Sequence, residues 1–148
     1  MIQLKEEITM IQIIAGEKGR GKTKVLIDKA NASVKDAKGN IVYLDKSNKH
    51  MYELSNKIRL INVRDYYVEN YCEFIGFISG LVSRDHDLEY IYLDSFLKIA
   101  NTDDSNVACT LEKLEKISNA FDVKIIVSIS LNEEDLPEVA KNNVLVAL

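Results

Sequence analysis

The chain of 148 residues is 47% hydrophobic and 28% charged, a balance that excludes a disordered or fibrous protein and suits one globular domain. A domain of this length buries about 68–70% of the surface its unfolded chain exposes. The net charge of −4 excludes a general attraction to phosphate backbones, so nucleic acid is not an expected partner.

The two cysteines, Cys72 and Cys109, and the two histidines, His50 and His86, lack the spacing of metal or redox motifs, and both thiols are expected to be reduced and structural. The charged opening Met1-Ile2-Gln3-Leu4-Lys5-Glu6-Glu7 does not read as a signal peptide. No apolar run reaches the roughly 20 residues of a membrane span, so the expected location is the cytoplasm.

In chain order, residues 9–15 form a continuous apolar run ending at glycine, the pattern of a strand covered on both faces. Val25, Leu26, Ile27 and Ala30 then continue at helical spacing until Lys38-Gly39-Asn40 stops the pattern. Residues 41–44 predict a second strand closing on Asp45, residues 51–55 a short helix, and residues 58–63 a brief strand. An apolar helix over 69–83, carrying Phe74, Ile75, Phe77, Ile78 and Leu81, is expected to be buried or to meet a partner. Tyr90-Ile91-Tyr92-Leu93-Asp94 predicts another buried strand ending on a carboxylate.

After a polar loop over 101–106, Leu111, Leu114, Ile117 and Phe121 mark an amphipathic helix, with Glu112 and Lys116 four apart on its outer face. Residues 123–129 predict a strand, Asn132 an N-cap for a short acidic helix to about Lys141, and residues 144–148 a last strand. Strands alternating with helices predict an α/β fold: a parallel sheet of about five strands with helices on both faces. Nothing in the pattern predicts a second domain, so residues 1–148 read as one unit with its core over about 9–148.

The segment Gly16-Glu17-Lys18-Gly19-Arg20-Gly21-Lys22-Thr23 satisfies G-x-x-x-x-G-K-[ST] between a predicted strand and a predicted helix. In such a loop, small residues let successive backbone N–H groups converge on a phosphate at the positive end of the following helix. Lys22 would reach the β- and γ-phosphates and Thr23 would join the Mg²⁺ shell, while Lys18, Arg20 and Lys24 add positive charge. Asp94 matches the second part such a site needs, a strand-end carboxylate for the metal.

These two motifs make the chain resemble the P-loop NTPase superfamily, the strand count makes it resemble the compact RecA-like branch, and the run over 16–24 with Ile27-Asp28 and Ala30-Asn31 resembles small bacterial P-loop ATPases. The resemblance implies Mg²⁺ and ATP as cofactors, held by residues 16–24, with Thr23 and Asp94 at the metal and Lys22, Asp45 and Asp94 as the catalytic candidates. Related ATPases often carry a glutamate after the strand-end aspartate or near the end of the second strand, to orient water. Here Ser95 follows Asp94, which leaves Asp45 and Glu17 as the remaining carboxylates. Ser128 and Ser130 are candidates for the polar γ-phosphate sensor that the resemblance implies.

ParA-like and MinD-like ATPases place lysine directly after the first loop glycine, where Glu17 stands here. The guanine-reading Asn-Lys-x-Asp is missing from both Asn48-Lys49-His50-Met51 and Asn56-Lys57-Ile58-Arg59, which favours ATP over GTP. The lid domain of an AAA-type motor is not expected. The expected function is therefore a slow ATPase acting as a nucleotide-dependent switch, with a protein partner or a second copy of itself, and Arg64 and Arg84 as candidates to complete a neighbouring subunit's site. The alternatives are an accessory module that binds nucleotide without turnover, and a small-molecule kinase. The kinase reading lacks an arginine-rich lid, since only Arg20, Arg59, Arg64 and Arg84 are present.

Overall fold

The structure, a computed structural model, describes residues 11–148. Thr9 and Met10 of the first expected strand lie outside the described residues. Six parallel strands form one sheet: β1 (Ile11–Ala15), β2 (Asn40–Asp45), β3 (Ile58–Asn62), β4 (Leu88–Leu93), β5 (Lys124–Ile129) and β6 (Val144–Ala147). Their spatial order is β3-β2-β4-β5-β1-β6. The sheet thus has one strand more than the expected five or so. Among the described residues five α-helices accompany it: α1 (Lys22–Ser33), α2 (Tyr71–Arg84), α3 (Phe96–Ile99), α4 (Val107–Phe121) and α5 (Glu138–Lys141).

Side chains alternate across each strand, so the apolar runs divide into two cores. Ile13, Val42, Leu44, Ile91, Leu93, Ile125 and Val127 face one core, where Phe74 and Ile78 of α2 and Leu111 and Leu114 of α4 meet them. Ile14, Tyr43, Tyr92 and Ile126 face the other, covered by Leu26, Ile27 and Ala30 of α1. Tyr43, Tyr92 and Tyr90 stack along that second face, with ring centroids 6.2 and 6.0 Å apart.

The apolar helix expected over 69–83 is α2, and its burial is intramolecular: Phe74, Ile78 and Val82 are buried, whereas Gly76, Ser79 and Gly80 are exposed. Asn70 caps it, its side chain accepting the Glu73 N–H at 2.9 Å. Among the described residues, no helix is long and apolar enough to cross a membrane.

Three expectations are corrected. Residues 51–55 form turns rather than a helix, because Asn31 of α1 takes the backbone groups a helix would use. Its Nδ2 donates to the Glu53 carbonyl at 2.9 Å and its Oδ1 accepts the Ser55 N–H at 2.8 Å, which seats Leu54 in the core. The acidic helix after Asn132 is split into a 3₁₀ turn at Glu133–Asp135 and α5, since Pro137 cannot donate and starts a new helix instead. Asn132 precedes only the 3₁₀ turn, and its side chain makes no capping hydrogen bond. Cys72 and Cys109 are both free but exposed, so they do not serve as the buried small hydrophobes expected.

Candidate functional site

The strand order decides which loops meet. In a parallel sheet all strands end on the same edge, and here the ends of β1, β5, β4 and β2 lie side by side in that order. The loop after β1 leads into α1 through Gly19 and Gly21, both at φ 88, a left-handed backbone that side chains with a Cβ adopt only at a cost. Gly21 is the N-cap of α1, so the helix starts at Lys22 with its free N–H groups directed into the loop. The sequence motif leaves position 19 open, yet the structure uses its glycine as much as the fixed one.

Lys22 is buried, and its Nζ donates to the Glu17 carbonyl at 2.9 Å, folding the ammonium back across its own loop. Burial pushes its pKa down, opposed by the negative charge of Asp94. The Glu17 carboxylate lies elsewhere, accepting from Asn132 Nδ2 at 2.9 Å.

Asp94 is the centre of the site. It is 2% exposed, and its Oδ1 accepts from Thr23 Oγ1 at 3.1 Å and from Ser128 Oγ at 2.9 Å, while its Oδ2 accepts from the Tyr43 hydroxyl at 2.7 Å. Burial, and then the charge and hydrogen bond of Asp94, push the Tyr43 pKa far upward, so Tyr43 stays a neutral donor. Ser128 also accepts the Ser95 N–H at 3.1 Å, and Ser95 sits at φ 54, turning the chain sharply into α3. Ser128 thus belongs to the site as a link between Asp94 and α3. Ser130 lines the same cavity.

Asp45 lies on the adjoining strand, since the Asp94 N–H donates to the Leu44 carbonyl at 2.9 Å. Its Oδ1 accepts the Lys46 N–H at 2.7 Å, and its Oδ2 is the one buried side-chain oxygen or nitrogen without a partner among the described residues. Burial first, and the neighbouring Asp94 second, raise its pKa above the ordinary aspartate value. An acid whose folded pKa is raised binds its proton more tightly in the native state. Stability is then greatest at low pH and falls as pH climbs from the unfolded value, about 3.9, through the raised one. Asp45→Asn, uncharged throughout, is expected to melt higher than wild type at pH 7 in EDTA and to lose that slope. Thermal melts from pH 4 to 7 check this, at about 2–4 °C for each kcal/mol gained.

The cavity between the loop and these strand ends holds about 360 Å³. Lys18, Gly19, Gly21, Lys22, Thr23, Asp94 and Ser128 line it, as do Lys46, Leu97 and Lys98. Gly16, Glu17, Arg20, Lys24 and Asp45 are not on its wall; Asp45 is buried and directly precedes Lys46 in sequence, and Lys24 pairs with Asp28 at 3.8 Å on the exposed side of α1. A larger groove of about 530 Å³ runs between α2 and the edge strand β3, past Arg59, Tyr66, Phe77 and Arg84. Its carboxylate, Asp85, is already bonded to Asn40 and to the Asp87 N–H, so the converging polar groups are in the smaller cavity.

Comparison of the sequence with protein-family models and with curated proteins returns no match. Among solved structures, the flagellar accessory protein FlaH from Methanocaldococcus jannaschii superposes with a TM-score of 0.53 at 17% identity. The chain has a RecA-like α/β fold. The superposition covers 89% of this chain and 65% of FlaH, so the chain spans about two thirds of that protein's length. At that identity the likeness concerns the fold.

Tyr43, Lys46 and Lys98 escaped the sequence reading. Lys46 directly follows Asp45 and Lys98 comes four residues after Asp94, so a basic residue just past each strand-end carboxylate was the available signal.

The residues fit a divalent cation of the Mg²⁺ type. Such an ion takes one or two carboxylates with other oxygens, and here a hydroxyl and a buried carboxylate are already in contact, with an unpartnered carboxylate oxygen on the next strand. No cluster of three or more acidic, histidine or cysteine ligands exists among the described residues.

Proposed function

We propose that this chain binds Mg·ATP at residues 16–23 and hydrolyses it slowly, as a nucleotide-dependent switch. The observation that carries this reading is the 3.1 Å hydrogen bond from Thr23 Oγ1 to Asp94 Oδ1, which joins the end of the glycine loop to a strand-end carboxylate 71 residues away. The backbone N–H groups of residues 18–22 hold the phosphate chain at the start of α1. Lys22 exchanges the Glu17 carbonyl for phosphate oxygens, a charge-assisted contact in place of a neutral one. Thr23 and Asp94 hold the cation, whose chemistry when bound is to neutralise charge on the phosphoryl oxygens.

The candidate to orient the attacking water is Asp45, which does not line the cavity itself but ends β2 directly before Lys46, which does. Among the described residues no protein group engages its Oδ2, and its raised pKa suits a proton acceptor. Switching follows from Ser128, which donates to Asp94 and accepts from Ser95, so a change in what Asp94 holds passes to the turn that begins α3. The partner is another protein or a second copy of the chain. FlaH, by name an accessory protein, carries the same fold.

Ser95, in the place where related ATPases carry glutamate, favours a second reading, a nucleotide-binding module without turnover. Phosphate release separates the two. Wild type is expected to release phosphate slowly from ATP only with Mg²⁺, and Asp45→Ala to bind ATP normally while releasing at the blank rate. Binding without any release by wild type would leave the accessory module.

A further inference from the structure

The charged side chains lining the cavity are four lysines, Lys18, Lys22, Lys46 and Lys98, against one carboxylate, Asp94, in a chain whose net charge is −4. Such a local excess selects a ligand with more negative charge than one phosphate group carries. Lys18 and Lys22 belong to the loop after β1, but Lys46 and Lys98 come from the ends of β2 and β4. β4 and β2 lie two and three strand spacings from β1, about 10 and about 14 Å away. A phosphate chain gripped by the loop and running toward Asp94 therefore meets Lys46 and Lys98 with its far end.

The backbone that carries each lysine is fixed by packing and hydrogen bonds, while the Lys98 side chain itself is exposed. The Lys46 N–H is bonded to Asp45 Oδ1. The single turn of α3 is anchored by Phe96 and Ile99, both buried, and Phe96 meets Phe74 edge-on with centroids 6.1 Å apart. Ser95, in its left-handed conformation, sets the direction in which that turn leaves β4. The Lys98 ammonium is held below its ordinary pKa chiefly by the neighbouring side chain and charge of Lys46, with Lys18 adding to it, so like charges crowd where an anion would relieve them.

We infer that Lys46 and Lys98 form a clamp, supplied within one chain, for the terminal phosphate of a nucleoside triphosphate, so that the site distinguishes triphosphate from diphosphate. The inference rests on the nucleotide-binding reading above and adds the residues that read the γ-phosphate. It also gives the switch its sensor: loss of the terminal phosphate removes the anion that the two ammonium groups share, while the hydrogen bonds from Asp94 to Leu44 and from Tyr43 to Asp94 keep β2 and β4 joined.

Calorimetric titration with Mg·ATP and Mg·ADP tests it on wild type, Lys46→Ala, Lys98→Ala and the double variant, with Lys113→Ala on the exposed face of α4 as control. Each single change is expected to weaken ATP about tenfold and the double about a hundredfold, with ADP within about twofold throughout. Equal weakening of ATP and ADP, or unchanged ATP affinity, would overturn the clamp while leaving nucleotide binding intact. If wild type binds neither nucleotide, the nucleotide-binding reading itself fails and the clamp falls with it. Circular dichroism of each variant confirms that the fold is retained.

Discussion

Asp94→Ala is expected to lower stability by about 2–4 kcal/mol and to abolish any effect of Mg²⁺ on nucleotide affinity. The stability loss follows from what the carboxylate accepts. Tyr43 and Ser128 donate to it from buried positions, and each hydroxyl left without a partner costs about 1–3 kcal/mol, partly offset by removing a buried charge next to Asp45. Urea denaturation at constant m-value reads that loss. Asp94→Asn separates structure from chemistry: it keeps the shape and one acceptor, so its midpoint is expected to stay nearer to wild type while the Mg²⁺ effect still disappears. An Asp94→Asn protein whose ATP affinity still rises with Mg²⁺ would remove Asp94 from the metal.

The second large effect belongs to Lys22. Its ammonium is buried and bonded only to a carbonyl of its own loop, so the protein holds a desolvated charge whose natural complement is an anion. Lys22→Ala is expected to weaken ATP by at least about a hundredfold, because losing one partner of a desolvated charge pair costs about 2–5 kcal/mol. Stability should move little or rise, since burial works against this charge in the free protein. Affinity by titration and midpoint by thermal melt, measured on one preparation, should therefore change in different directions or by very different amounts. A parallel fall in both would make Lys22 a structural residue.

The parts of the site that were legible in the sequence are those with local spacing. Residues 16–23 are consecutive, and the strand-to-helix setting around them is visible in the apolar runs on either side. Asp45 and Asp94 were legible because each ends such a run. What was not legible depends on strand order. That β4 neighbours β2 and β5 rather than β1 is a property of the whole sheet and of no local segment, and that order carries Tyr43 and Ser128 to Asp94 and places Lys46 beside Lys98.

The turn over 51–55 was missed for a similar reason. Its backbone is satisfied by Asn31, more than twenty residues earlier, and no local pattern announces a partner at that distance. The short helix α3 follows from Ser95 taking a left-handed conformation, which a serine seldom does and which is held here by Ser128. In both places tertiary hydrogen bonds override local preference, and one of them lies in the candidate site.

The most direct test of nucleotide binding is calorimetric titration of the wild-type chain with ATP, with and without Mg²⁺, alongside Lys22→Ala. Saturable binding of one ATP per chain, tightened by Mg²⁺ and lost in Lys22→Ala, is the expected result. Heats indistinguishable from dilution for wild type, or equal binding by Lys22→Ala, would contradict it.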